Sequence, residues 1–534
     1  MNETSTPAAV GLRRELGRWD LTAIGINQVI GGGIFLIPAA LAGEVGAWGP
    51  IAFLAVGLMS LLVALCFAEV GSRFDSTGGP YLYTRAAFGR LAGFEVGWMQ
   101  WFTRVTSQAS NANGIALALG FYWPAMTGGT GRALLLVGLV AALAAINVRG
   151  IRQSAWVVNV LTIAKLVPLG IFIVVGVFFV HAGRLAPLPA VSWRQAAEAA
   201  LLLNFAFGGF DVIPVPAGES TDPRRHVPFA LVTTVVSVTV IMALAQMVTA
   251  GTLPGLAASR TPMADAALLF MGGGGALLIG VGSILSMTGN NAGHILTGSR
   301  MLYALAENRQ LPAFFGRIHP AWRTPANAIV FTSIVALGLA LSGSFAKLAA
   351  ASAVARLITY TGACASTLAL RRARFAGSVK PATFVIRLGP VVPLLAVVIS
   401  LVILAGASWE QMTTGAAALG AGAALFAVND YRRKRKPEAA IAGQFGEKKG
   451  ATVRRPPPCL LSTSLLATRY SLLTPRYFLT TGVTTSSGAG SLSVVTFFSG
   501  GFCGFFTYLS SHAVQRAHRS SSVSFAAGPW SSSG

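Results

Sequence analysis

Ile24-Gly-Ile-Asn-Gln-Val-Ile-Gly-Gly-Gly-Ile-Phe-Leu-Ile-Pro38 lies inside an apolar segment long enough to cross a bilayer, and its centre is three consecutive glycines, Gly31, Gly32 and Gly33. A glycine in a helix interior costs about 1 kcal/mol relative to alanine, so the triplet predicts a broken helix. A break at membrane depth frees backbone N–H and C=O groups. Lipid cannot satisfy them, so they must line a protein-enclosed cavity. N–H groups freed at a half-helix N-terminus attract a carboxylate, because the helix dipole is positive there. Close helix packing through small residues is the other use of such a run.

The second half of the chain repeats the signal. Asn204-Phe-Ala-Phe-Gly-Gly-Phe-Asp-Val-Ile-Pro-Val-Pro216 is again an apolar segment interrupted by glycine and proline. Two interrupted spans at corresponding places in two halves point to the binding site of a secondary transporter.

These residues also carry a family resemblance. The glycine triplet followed by Ile34-Phe35 resembles the first helix of amino-acid permeases of the APC (amino acid–polyamine–organocation) superfamily. Phe207-Gly-Gly-Phe-Asp211, with Pro216-Ala-Gly-Glu219 and Asp222-Pro-Arg-Arg-His-Val-Pro228 after it, resembles their sixth helix and its cytoplasmic exit. Glu307-Asn-Arg-Gln-Leu-Pro312 and Thr324-Pro325 resemble the loop between their helices 8 and 9. The resemblance runs over roughly residues 15–432.

Composition agrees. The 534 residues are 54% hydrophobic and 11% charged, against about 25% charged in a soluble domain. The chain reads as an all-α polytopic membrane protein. With about 20 apolar residues per crossing, twelve spans emerge: 20–42, 49–70, 94–123, 132–148, 155–180, 196–217, 228–251, 276–303, 325–342, 347–369, 389–408 and 412–430. A further apolar stretch at 262–271 is too short to cross and is expected at the interface.

The net charge of +23 sits in the loops, with no nucleic-acid motif beside it. With the N-terminus inside, the inner segments hold 24 Lys and Arg and the outer loops 5. By the positive-inside rule both ends of the twelve-span core are cytoplasmic, in the plasma or bacterial inner membrane. The first twenty residues are polar, so no cleavable signal peptide is expected. Cys66 and Cys364 lie in apolar spans, and none of the four cysteines forms a Cys-x-x-Cys pair, so neither a disulfide framework nor a metal set is read here.

Residues 1–19 then form a cytoplasmic N-terminus, 20–182 a first repeat of five spans, 196–370 a second repeat of five, and 389–430 two extra helices. An odd number of spans per repeat inverts the second, as inverted-repeat transporters require. The resemblance implies the same: a LeuT-like five-plus-five fold. Residues 431–534 form a basic tail, and 451–534 contain no Asp or Glu. The tail reads either as disordered or as translation past the family's natural end near Arg432–Lys436.

Lys165 lies about eleven residues into its span, some 16 Å deep in a core of about 30 Å. A lysine there is a candidate for function, as a proton carrier or as a permanently held structural cation. Asn159-Val-Leu-Thr-Ile-Ala-Lys165 resembles helix 5 of proton-coupled and cationic permeases, in which a lysine amine replaces a sodium ion; this implies a coupling role.

By resemblance, amides around Ile30, Gly31, Gly32, Gly33 and Ile34 hold a substrate carboxylate. Carbonyls of Phe205, Ala206, Phe207 and Gly208 accept its ammonium. Phe205 or Phe207 gates the site, with the register ambiguous by two residues. Asp211 is either a substrate or pH-sensing group, favouring a cationic substrate if it faces the cavity, or a structural partner for a hydroxyl or arginine. Arg104 and Arg356 are expected to be structural, pairing with Asp211 or Glu95 or reaching an interface. Glu69 is expected at an interface, Trp98 and Trp101 in packing or an aromatic belt, and His294 as a satisfied core histidine.

The chain lacks His-Glu-x-x-His, P-loop and dinucleotide-binding motifs. No enzyme activity, cofactor or nucleic-acid partner is expected. The sequence therefore predicts a permease moving amino acids across a lipid bilayer, coupled to protons. An amino-acid or polyamine exchanger and a non-transporting amino-acid sensor are the alternatives. It leaves open which amino acid is carried and the oligomeric state.

Overall fold

The computed structural model describes residues 12–446 apart from 121, 122 and 376, and its described side chains exclude 345, 346 and 434–446. Among the described residues the fold is all helical, joined only by one isolated parallel bridge, Leu16 to Ser220. Fourteen α-helices follow in order: α1 (Arg18–Val29), α2 (Gly33–Val45), α3 (Gly49–Gly71), α4 (Pro80–Phe88), α5 (Arg90–Gly120), α6 (Gly129–Arg149), α7 (Ile151–Gly176), α8 (Trp193–Ala206), α9 (Pro223–Thr252), α10 (Pro262–Glu307), α11 (Ala326–Ser342), α12 (Phe345–Leu370), α13 (Val391–Ala405) and α14 (Trp409–Gly446).

Every stretch read as a span falls on a helix or a broken helix. Among the described residues, seven stretches are long and apolar enough to cross a membrane by themselves, including Ile151–Phe179 and Pro223–Thr252. Two further apolar helices, α11 and α13, are shorter. The remaining stretches fall outside that group for visible reasons: α1 is a twelve-residue piece that ends at the first break while α2 runs on with α3 in Gly33–Gly71, α8 stops at its break, and α5 carries Glu95, Arg104, Asn111 and Asn113. The surface is that of a multi-pass membrane protein. Leu58, Leu134, Trp156, Ile163 and Ile334 all present most of their side chains outward.

Local chemistry explains the boundaries. Ser192 and Gln195 form a capping box at the start of α8. Two glycines with positive φ, Gly78 (135°) and Gly79 (47°), turn the chain into α4, with Pro80 in its first turn. The sequence reading gave no helix to this loop. The 262–271 stretch is a helical arm of α10, divided from the rest by Gly272 at φ 68° and ψ −165°. It is not merely interfacial: Met263, Ala266 and Ala267 are buried in the main core. Where the sequence placed the tail from 431, α14 continues to Gly446; the tail from 447 lies outside the described residues.

The core centres on the two interrupted segments. Ile24, Ile30 and Phe35 pack in one cluster with Phe53 of α3, Phe172 of α7, and Phe207, Phe210 and Ile213 of the second interruption. The helix α3 runs along α9, and α10 is enclosed by α1, α5, α7 and α11.

Candidate functional site

The glycine triplet breaks the first segment where it was expected to. The helix α1 ends at Val29, Ile30 leaves helical geometry (φ −78°, ψ 82°), and α2 begins at Gly33. The last four carbonyls of a helix have no partner inside it, and all four are accounted for here. Ile30 N donates to Ile26 O and Gly31 N to Val29 O, each at 2.9 Å. Asn290 Nδ2 donates to Asn27 O at 3.0 Å and to Gln28 O at 2.7 Å. Ser286 Oγ then serves the carbonyls of Ile30 (2.9 Å) and Gly31 (3.0 Å).

Lys165 completes this arrangement. Its fully buried ammonium donates to Asn27 O (2.9 Å), Ile30 O (2.5 Å) and Ser286 O (3.4 Å). Three carbonyls from α1, the break and α10 thus surround one cation from α7. The break's other side presents the first N–H groups of α2, Gly33 and Ile34, which have no acceptor within their own helix. Positive dipole and free donors face the same point.

The second interruption lies against the first. The helix α8 ends at Ala206, and a Cβ on Gly33 would stand 3.2 Å from Ala206 Cα. Gly209 has φ 140°, and a Cβ there would fall 2.5 Å from the Gln28 carbonyl. Beyond it Pro214 and Pro216 each withhold an N–H. The chain continues in 3-10 turns, Phe210–Val212 and Ala217–Glu219, and does not resume an α-helix before α9.

Asp211 faces two arginines. Arg104 Nη2 lies 2.7 Å from its Oδ2 and Arg356 Nε 3.7 Å from its Oδ1, and all three side chains are at most 2% exposed. Gln100 Nε2 donates to the Asp211 carbonyl at 2.9 Å. Arg356 also reaches the hydroxyls of Ser107 and Ser352, each at 3.4 Å. Tyr360 stacks on Phe210 at 5.1 Å, with Phe67 edge-on to both. The arginines were expected to pair with Asp211 or Glu95; both choose Asp211.

Of the two candidate gate aromatics, Phe207 is buried against Phe53, with ring centres 6.0 Å apart. Phe205 lines a cavity of about 720 Å³ with Ile37, Trp193 and Ala353. A second cavity, about 540 Å³, lies beside α2 and is lined by Phe35, Leu36, Leu117, Ser283 and Met287. The opposite face is tied together by a buried ion pair and backbone bonds. Arg300 Nε and Glu219 Oε1 pair at 3.2 Å, fully buried, and the N–H groups of Glu15 and Leu16 donate to Glu219 O at 2.9 Å.

Two expectations change. Glu69 is buried rather than interfacial: Arg371 grips it at 2.6 and 2.5 Å, and Ile386 N donates to it at 2.9 Å. His294 is buried, but its Nδ1 makes no hydrogen bond. Trp101 packs in the core, one of the two places expected for it, and donates to Thr332 Oγ1 at 3.2 Å. The sequence reading missed Asn27, Gln28, Asn111, Ser286 and Asn290, which interlock around the first break. Asn27 Nδ2 donates to Gly289 O (2.7 Å), Gln28 Nε2 to Asn290 O (2.9 Å), and Asn111 Nδ2 to Asn290 Oδ1 (2.8 Å). Amides inside apolar spans were the available signal.

Known proteins are similar to this chain. The family model described as "Amino acid permease" matches residues 16–416. The methylthioribose transporter of Bacillus subtilis (strain 168) is 29% identical over 402 residues, covering 72% of this chain and 86% of the relative. The serine/threonine exchanger of the same organism is 29% identical over 403 residues, covering 72% of this chain and 89% of the relative. Its branched-chain amino acid permease is 26% identical over 423 residues, covering 76% and 90%. With the family model spanning most of its length and transporters as its relatives, the chain belongs to the amino acid permease family of the APC superfamily.

Proposed function

We propose that this chain is a secondary transporter that moves amino acids across the plasma or bacterial inner membrane by alternating access, coupled to protons. The observation that carries the reading is Lys165, whose ammonium joins α7 to three carbonyls at the first break and on α10. Loss of its proton would remove the charge and one of three donors, and so loosen α1 from α7 and α10. Regaining it would draw them together. The substrate carboxylate would meet the amides of Gly32–Ile34, since those of Ile30 and Gly31, also expected there, already donate to Ile26 O and Val29 O, and its ammonium the carbonyls of Phe205–Gly208. Phe205, beside the open cavity, would be the gate.

On this reading the chain crosses twelve times, with α1 through α7 and α8 through α12 forming inverted repeats and both core ends cytoplasmic. The segments holding α1, α2, α3, α8 and α9 would rock against α5, α6, α10 and α11. The face tied together around Glu219 and Arg300 would then be cytoplasmic, and the two cavities beside α2 would open outward.

Exchange is the second reading, favoured by the serine/threonine exchanger among the relatives. The methylthioribose transporter among them extends the candidate substrates beyond amino acids. The test is uptake of a labelled amino-acid panel by the full chain in liposomes, with and without an inward proton gradient. Gradient-stimulated uptake into empty vesicles is expected. Uptake only into preloaded vesicles would replace proton coupling with exchange, and binding without movement would make the chain a sensor.

A further inference from the structure

The charges around the second break do not balance. Arg104 and Arg356 bring two cations to a single carboxylate, and among the described residues Asp211 is the one acid paired with either. All three are within 2% of full burial. Lys165 adds another buried cation at the neighbouring break. Nor are the guanidiniums satisfied: Nε and Nη1 of both arginines make no hydrogen bond. Buried charges without partners are costly, and charge-assisted bonds to a carboxylate are the usual remedy.

The unpaired donors stand between the two breaks. A Cβ on Gly208 would fall 1.6 Å from Arg356 Nη1, so the guanidinium occupies the space over the interrupted backbone. Arg356 also reaches Ser107, one helical turn before Asn111 on α5, and Asn111 Oδ1 would lie 3.2 Å from a Cβ on Gly32. A molecule held at both breaks therefore has the arginine pair beside it. A zwitterion would leave the excess charge untouched, and a cationic substrate would add to it.

We infer that the substrate carries a second carboxylate, received by Arg104 and Arg356, so that this permease takes acidic amino acids. The inference rests on the transport reading above and narrows its substrate class. It also reverses the expectation that Asp211 selects cations: the two arginines already neutralise it.

The test compares glutamate with glutamine, which match in shape and differ in charge, using the full chain in liposomes for uptake and in detergent for ligand-induced thermal stabilisation. Wild type is expected to favour glutamate by about tenfold or more, about 1.4 kcal/mol. R356Q, which leaves the neutral Asp211–Arg104 pair, is expected to cut glutamate uptake about tenfold more than glutamine uptake. R356K, retaining the charge, should keep the preference. Uptake of neutral or cationic amino acids without glutamate would overturn the inference and leave the permease reading standing. Glutamate-specific stabilisation without uptake would uphold the anion site and overturn transport. Equal stabilisation by chloride would assign the excess charge to an inorganic ion and sink the proposal. Neither uptake nor stabilisation by any amino acid would overturn both readings.

Discussion

Gly33 of the first break meets Ala206 of the second: a Cβ on Gly33 would lie 3.2 Å from the Ala206 Cα. The two interruptions touch here, so a larger side chain at 33 has no room unless they separate. Gly33→Val is expected to push the backbones apart and abolish uptake, while Gly43→Ala, a site with open space around its Cβ, should leave uptake near wild type. Uptake assays on the two variants side by side check this. Equal activity would mean that the breaks need no contact.

Gly209 imposes a second steric demand. Its φ of 140° lies where side chains are strained, and a Cβ would fall 2.5 Å from Gln28 backbone atoms. Gly209→Ala should destabilise the protein by about 1–3 kcal/mol. A lowered thermal unfolding midpoint in detergent is the readout; an unchanged midpoint would show that this segment relaxes freely.

Lys165 donates to three buried carbonyls. Lys165→Ala removes the charge-assisted donor from them, at about 1.5–3 kcal/mol, while Asn27 O keeps Asn290 Nδ2 and Ile30 O keeps Ser286 Oγ. Proton-driven accumulation should vanish, and any remaining uptake should run downhill and ignore the gradient. Unchanged pH-driven accumulation in Lys165→Ala vesicles would restrict the lysine to a structural role or less.

Asp211 separates two arginines that would otherwise face each other unpaired. Asp211→Asn should therefore destabilise by about 3–5 kcal/mol, the cost of stranding buried charge. Adding Arg356→Gln to Asp211→Asn should recover part of that loss. Thermal midpoints of the two single variants and the double variant give the coupling, and strict additivity would argue against direct pairing.

The loop pair Asp75 and Lys380 governs a small pH-dependent increment. The Lys380 ammonium, 2.5 Å from Asp75 Oδ2, holds the Asp75 carboxyl below the usual carboxylate range. A depressed carboxyl stabilises the fold above its unfolded pKa of about 3.9, and the gain fades as pH falls from there through the lowered folded value. Both side chains are partly exposed, so the increment is about 0–1 kcal/mol and shrinks with salt. Asp75→Asn should lower stability slightly at pH 7 and make no difference near pH 2, measured by denaturation at both.

Much of the architecture could be read from the chain. An apolar run of about 20 residues predicts a helix regardless of its neighbours, and three glycines or a Gly-Gly with two prolines weaken a helix through local backbone terms. Both interruptions and the family followed from such local facts. The tertiary structure decided the partners. Whether Asp211 met Arg104, Arg356 or neither depended on how α5 and α12 turn toward the second break, a matter of helix rotation that periodicity in an almost wholly apolar chain does not encode. Glu69 likewise looked interfacial by position, and Arg371, some three hundred residues later, made it a buried ion pair. Sequence alone determined where the backbone must open; only packing across distant helices determined which charges close around those openings, because electrostatic pairing acts over a few ångströms in space and is blind to distance along the chain.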